Sequence, residues 1–109
     1  MLAVYTVPSL ATVGFTEEAA SGAGLKFDVR THDMREWRSA RTYGETAAWS
    51  KVLVEKGSGR ILGTHLVGHG AEETIHTFAL AIEKGMPASE IASRVYAYPT
   101  FHADLKYLV

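Results

Sequence analysis

The chain contains no cysteine. Disulfide frameworks, cysteine-bound zinc, iron–sulfur clusters and thiol catalysis are therefore excluded within its 109 residues. Cysteine usage leaves the compartment open, because a cytosolic protein and a cysteine-free exported one look alike on this criterion. An excess of one charge is also missing. Eleven Lys and Arg oppose twelve Asp and Glu, a formal net charge of −1. A field that small does not gather phosphates or anionic lipid, so neither nucleic acid nor a membrane surface is an expected partner. Long apolar runs are absent too. The longest, Phe78 to Ile82, falls far short of the ~20 residues that cross a bilayer. The apolar start, MLAVYTVPSLATVG, has no Lys or Arg before Lys26 and is interrupted by Pro8, unlike a signal peptide with its basic leader. A cytoplasmic location is the resulting expectation.

What remains is an ordinary globular composition, 47% hydrophobic and 21% charged, of single-domain size and without repeats. Tyr5 to Gly14 is β-prone, with Pro8 forcing an extended or edge geometry. Thr16 ahead of Glu17, Glu18, Ala19 and Ala20 reads as a helix N-cap with acids in the first turn, and Gly22 and Gly24 stop that helix. Leu25, Phe27 and Val29 alternate with Lys26, Asp28 and Arg30, which predicts a strand with one buried face. The polar, basic stretch from Thr31 to Arg41 is a connection or edge anchored by Trp37. Trp49–Glu55 and Arg60–Val67 are alternating strands joined by a Gly57-Ser58-Gly59 hairpin turn.

Ala71 to Lys84 is the clearest helix: Ile75, Phe78, Ala79 and Ile82 recur at three- and four-residue steps, Glu72 and Glu73 open it, and Gly85 closes it. A shorter helix follows Pro87 to about Ser93. Tyr96 to Thr100 is extended, since the residue before Pro99 avoids the α region, and Thr100 caps a last amphipathic turn through Leu108. Strands thus precede helices around an antiparallel hairpin. The expected fold is one α+β domain over residues 1–109, an antiparallel sheet with helices packed on one face.

The five histidines invite a metal centre, but their spacing does not build one. His65 and His69 would sit about 13 Å apart on a strand, and His69 and His76 about 10 Å apart on a helix. Glu73-x-x-His76 matches one fragment of a carboxylate-bridged di-iron site, which needs a second copy and further glutamates. No metal ligands are assigned. Gly68-x-Gly70 stands between a strand and a helix as a phosphate-binding turn would, yet Glu72 and Glu73 follow it and would repel a pyrophosphate. Arg35, Arg38 and Arg41 flank Trp37, diluted by Asp33 and Glu36, and read as a solvated edge. Composition and spacing define no self-contained active site.

Four segments carry a resemblance. Ala97-Tyr98-Pro99-Thr100 resembles the A-H-P-T motif near the C-terminus of the pyridine nucleotide–disulfide oxidoreductases, which include glutathione reductase, dihydrolipoamide dehydrogenase and mercuric reductase. Tyr5 to Glu17 resembles that family's F-T-x-P-E-x-A-x-V-G-L-T-E segment. Gly59-Arg60-Ile61-Leu62-Gly63-Thr64-His65-Leu66-Val67-Gly68 resembles its G-R-I-L-G-x-H-I-V-G strand, and Glu72-Glu73-Thr74-Ile75 the helix that follows. The similarity runs in register from about Tyr5 to Leu108.

The resemblance implies a C-terminal dimerisation domain, non-catalytic by itself, which in the full enzymes follows FAD and NAD(P) domains that this chain does not contain. It implies a homodimer, with Ile75, Phe78, Ala79, Ile82 and the Tyr98-Pro99-Thr100 loop at or near the two-fold interface, and Tyr98 and Pro99 beside the partner's flavin. In the family a histidine in that loop is the acid/base of the redox thiols, oriented by a glutamate five positions later. Here Tyr98 stands at the histidine position and Ala103 at the glutamate position, with His102 the candidate substitute base. A phenol of pKa about 10 donates a proton but is a poor base at neutral pH. The expected function is therefore dimerisation. The alternatives are a stand-alone interaction module that kept the fold without redox chemistry, and a small metal- or histidine-dependent enzyme.

Overall fold

The computed structural model describes residues 1–4, 9–35, 37, 47–94 and 105–109, with the backbone alone described for Val4, Leu105 and Lys106. Its five strands, β1 (Leu2–Val4), β2 (Leu10–Gly14), β3 (Phe27–Asp33), β4 (Trp49–Glu55) and β5 (Ile61–Val67), form one antiparallel sheet in the order β1-β2-β5-β4-β3. The described helices are α1 (Glu17–Gly22), α2 (Ala71–Glu83), α3 (Ala88–Ser93) and α4 (Leu105–Leu108). The α+β class and the antiparallel sheet agree with the sequence reading. Thr16 caps α1 as its position predicts, its hydroxyl oxygen accepting from the Ala19 N–H at 3.1 Å.

The main core lies on one face of the sheet. Ala11, Val52, Val54, Ile61 and Leu66 meet Ala71, Ile75, Phe78 and Ala81 of α2, Ala88 and Ile91 of α3, and Leu108 of α4. The 3.6-residue period that marks α2 in the sequence is thus the period of a stripe laid on the sheet. A second, smaller cluster on the opposite face joins Ala20 of α1 to Leu53 and Leu62, with Leu25 and Phe27 alongside. A register shift assigns these residues. Leu53 pairs with Gly63 but Val54 pairs with Ile61, so Leu62 is the extra residue of a β-bulge and turns to the side of Leu53.

Between Leu25 and Val29 the structure differs from the expected pattern of one buried face. The strand starts at Phe27, runs on to Asp33 as a sheet edge, and leaves Val29 exposed, because α1 covers only the Phe27 end.

The corner after β2 is set by a close approach. The Phe15 N–H donates to the Leu62 carbonyl at 3.0 Å, and a β-carbon added to Gly63 would lie 2.0 Å from the Phe15 carbonyl oxygen. Only glycine fits there. Gly14, opposite Gly63, has φ +77°, where a side chain is strained whatever the space. In the main core, Ser50 and Thr64 are fully buried with hydroxyls that have no hydrogen-bond partner.

Two outcomes follow for chemical denaturation. Gly63→Ala should lose about 2–3 kcal/mol or more, since backbone and not a flexible side chain must yield. Thr64→Val, of nearly the same shape, should gain about 1 kcal/mol by removing an unpaired buried hydroxyl. A neutral Gly63→Ala or a destabilising Thr64→Val would contradict this packing.

Candidate functional site

Of the quartet expected at an interface, Ile75 and Phe78 turn out to face the chain's own core, 1% and 0% exposed, where they cannot present themselves to a partner. Ala79 and Ile82 are half-buried at the margins of α2. The outward stripe of the helix is instead Glu73, His76, Leu80 and Glu83, and Leu80 is 53% exposed. Sequence reasoning passed over Leu80 because it lies within the apolar run Phe78–Ile82. A helical projection would have isolated it, since it stands about 200° around from Phe78. Tyr98, Pro99, Thr100, His102 and Ala103 lie outside the described residues, as do Arg38 and Arg41.

The glycine turn ahead of α2 is filled by acids. Gly70 is the N-cap, with a left-handed backbone and no side-chain cap, and Glu72 and Glu73 occupy the first turn. The hydroxyl of Ser9 holds the Glu72 carboxyl below its usual range, helped by the Glu72 backbone N–H and the nearby His69. One Glu72 carboxylate oxygen is buried without a partner. Negative charge thus already occupies the positive end of the helix, which opposes a phosphate there.

The histidines are dispersed over different elements. His65 on β5 donates from Nε2 to the Phe15 carbonyl at 3.0 Å. Nδ1 is hydrogen-bonded to the Thr12 hydroxyl, so both ring nitrogens are engaged and the ring clamps the corner after β2. His69 lies before α2, and His76 is on its exposed face. Among the described residues no group of three or more His, Asp or Glu is placed to hold a metal ion.

Arg35 folds back on Asp33 at 2.7 Å, and its hydrogen bonds hold the Asp33 carboxyl below the usual range. Trp37 is an anchor as expected: it packs on the main core, 5.7 Å from the His32 ring and edge-on to Tyr107 at 6.2 Å. One surface cavity of about 320 Å³ is lined by Phe15, Leu25, Ile61, Leu62 and Ile82, with Arg60 at its edge and held by Glu55 at 2.9 Å. That lining offers no acid–base pair. No described helix is long and apolar enough to cross a membrane.

Residues 2–109 match the family described as pyridine nucleotide-disulphide oxidoreductase, dimerisation domain, and the chain belongs to that family. It corresponds to the dimerisation module of a larger oxidoreductase architecture and, having no cysteine, carries no redox dithiol of its own. It is 35% identical over 107 residues to an uncharacterized 19.7 kDa protein of the mercuric resistance operon of Staphylococcus aureus, over 98% of this chain and 59% of that one. It is 38% identical over 103 residues to dihydrolipoyl dehydrogenase of Chlorobaculum tepidum, over 94% of this chain and 22% of that enzyme. The fold superposes with a TM-score of 0.92 on RclA, an HOCl-induced flavoprotein disulfide reductase of Escherichia coli, at 27% identity over 98% of this chain and 25% of that one.

The Glu72 environment gives a pH dependence. A carboxyl held below its usual value of 4.5 stabilises the fold above that value, and the contribution is lost as pH falls through it. Wild type should therefore be more stable than Glu72→Gln at pH 7, with the gap closing as pH falls below 4.5 in thermal melts. A gap independent of pH would rule out the charged carboxylate as its source.

Proposed function

We propose that the chain is the homodimerisation domain of an FAD-dependent, NAD(P)-linked disulfide oxidoreductase-like protein, placing its Tyr98-Pro99-Thr100 loop near the partner subunit's flavin site. The observation that carries this reading is the family match across residues 2–109. FAD and NAD(P) belong to other domains, and the chain alone performs no catalysis. With Tyr98 and Ala103 where the resemblance implies a histidine–glutamate pair, ordinary dithiol turnover lacks its base unless His102 supplies it. A substrate that needs no such base, a quinone or a metal ion, fits better.

The outer stripe of α2 supplies the surface: Leu80, with His76 and Glu83 along the same stripe, suits an isologous contact in which each copy buries the same residues. Sedimentation equilibrium should give a mass near twice 11.9 kDa. Leu80→Lys should raise the dimer dissociation constant at least tenfold without changing the circular dichroism. A monomer at every concentration overturns the reading.

The second reading, a stand-alone interaction module, is supported by the S. aureus relative. That protein has a mass of 19.7 kDa, and this chain matches 59% of its length.

A further inference from the structure

The outer stripe of α2 holds three metal-ligating groups that the fold leaves uncommitted. Glu73, His76 and Glu83 are all exposed, and among the described residues no ion pair involves any of them. Glu73 and His76 are three residues apart, so their β-carbons stand about 5–6 Å from each other on one helix face. That spacing lets a carboxylate oxygen and an imidazole nitrogen reach one cation. Two ligands alone do not hold it. Within one copy Glu83 cannot be the third, because it lies about 10 Å beyond His76 along the helix.

The third ligand rests on the dimer reading above, in which two copies meet around Leu80. At 1.5 Å and about 100° per residue, His76 lies about 6 Å before Leu80 and Glu83 about 4.5 Å beyond it. Both are turned to the same side of Leu80, by about 40° and about 60°. A two-fold axis that crosses α2 at right angles beside Leu80 reverses the helix and keeps that side. It brings the partner's Glu83 within about 2 Å of His76 along the helix, and the partner's Lys84 falls on the other side of Leu80.

Charge favours this crossing. An axis running along the helix would lay the two first turns together, with Glu72 and Glu73 of both copies adjacent and the helix dipoles side by side. The reversed helices oppose their dipoles. The stripe still carries two carboxylates, Glu73 and Glu83, against one ammonium, Lys84, so two copies without a metal meet as like charges.

We propose that the dimer contact is a metal site, in which Glu73 and His76 of one copy and the partner's Glu83 bind one divalent cation of zinc's class, twice per dimer. One imidazole and two carboxylates suit such a cation, with water completing its coordination. The site is incomplete in a single copy, whose described residues place no three such ligands together.

The probe is Zn²⁺, added to the chelator-treated chain in sedimentation equilibrium. It should lower the dimer dissociation constant at least tenfold and saturate at two ions per dimer. His76→Ala and Glu83→Gln should each abolish that effect without changing the circular dichroism. Mixed together, the two variants should regain it with one ion per heterodimer, since Glu73 and His76 of one and Glu83 of the other complete a single site. A dimer whose dissociation constant ignores Zn²⁺ overturns the proposal and leaves the dimer reading standing. An effect that survives His76→Ala overturns it too, as does a mixture that regains nothing. A chain that stays monomeric with and without Zn²⁺ overturns both readings, whereas one that dimerises only with Zn²⁺ upholds the site.

Discussion

The backbone of Phe15 lies directly across Gly63, and much of the molecule depends on that approach. It lets β2 leave the sheet at Gly14 and turn at once into α1, with the Phe15 N–H on Leu62 and the Phe15 carbonyl on His65. The turn brings Ala20 onto Leu53 and Leu62, and the bulge in β5 brings Leu62 to that side to meet it. One face of the sheet is thereby left to α2, α3 and α4, and among the described residues the other is covered by α1 at one end. A side chain at Gly63 would displace backbone, so this is a steric constraint and does not depend on pH or salt.

The parts legible in the sequence are those where a local pattern and the tertiary structure agree. Thr16 before two glutamates, the Gly57-Ser58-Gly59 turn and the apolar stripe of α2 each declare their element. Other features have no local mark. β3 continues through polar Thr31, His32 and Asp33 because seven residues of β4 stand ready to pair with it, and pairing overrides composition. The bulge is a slip of one residue between two strands, visible only when both are laid side by side. Periodicity located the apolar stripe of α2 but not its destination: Ile75 and Phe78 went to the chain's own sheet, and the outward Leu80 was hidden in an apolar run. For the candidate site the reason is different. Tyr98 and Ala103 acquire meaning only beside the histidine and glutamate of the family's pattern, so the resemblance was the one route to them.

The chain presents two surfaces of different character on opposite sides of one layer. The α2 side is a charged stripe with a single large apolar residue, suited to a reversible, symmetric contact. The open sheet side is more apolar, with Lys51 paired to Glu17.

The strand order has a consequence for synthesis. β5 is the centre of the sheet, and its partner β2 lies about fifty residues earlier in the chain. Within the sheet, until β5 has been made β1 and β2 can pair only with each other, and an isolated two-stranded ribbon is marginal in water. The consecutive strands β3, β4 and β5 can form a meander by themselves once Val67 is out. These two strands are therefore the last of the sheet to be secured, and until then the edge of β2 that pairs with β5 stands open.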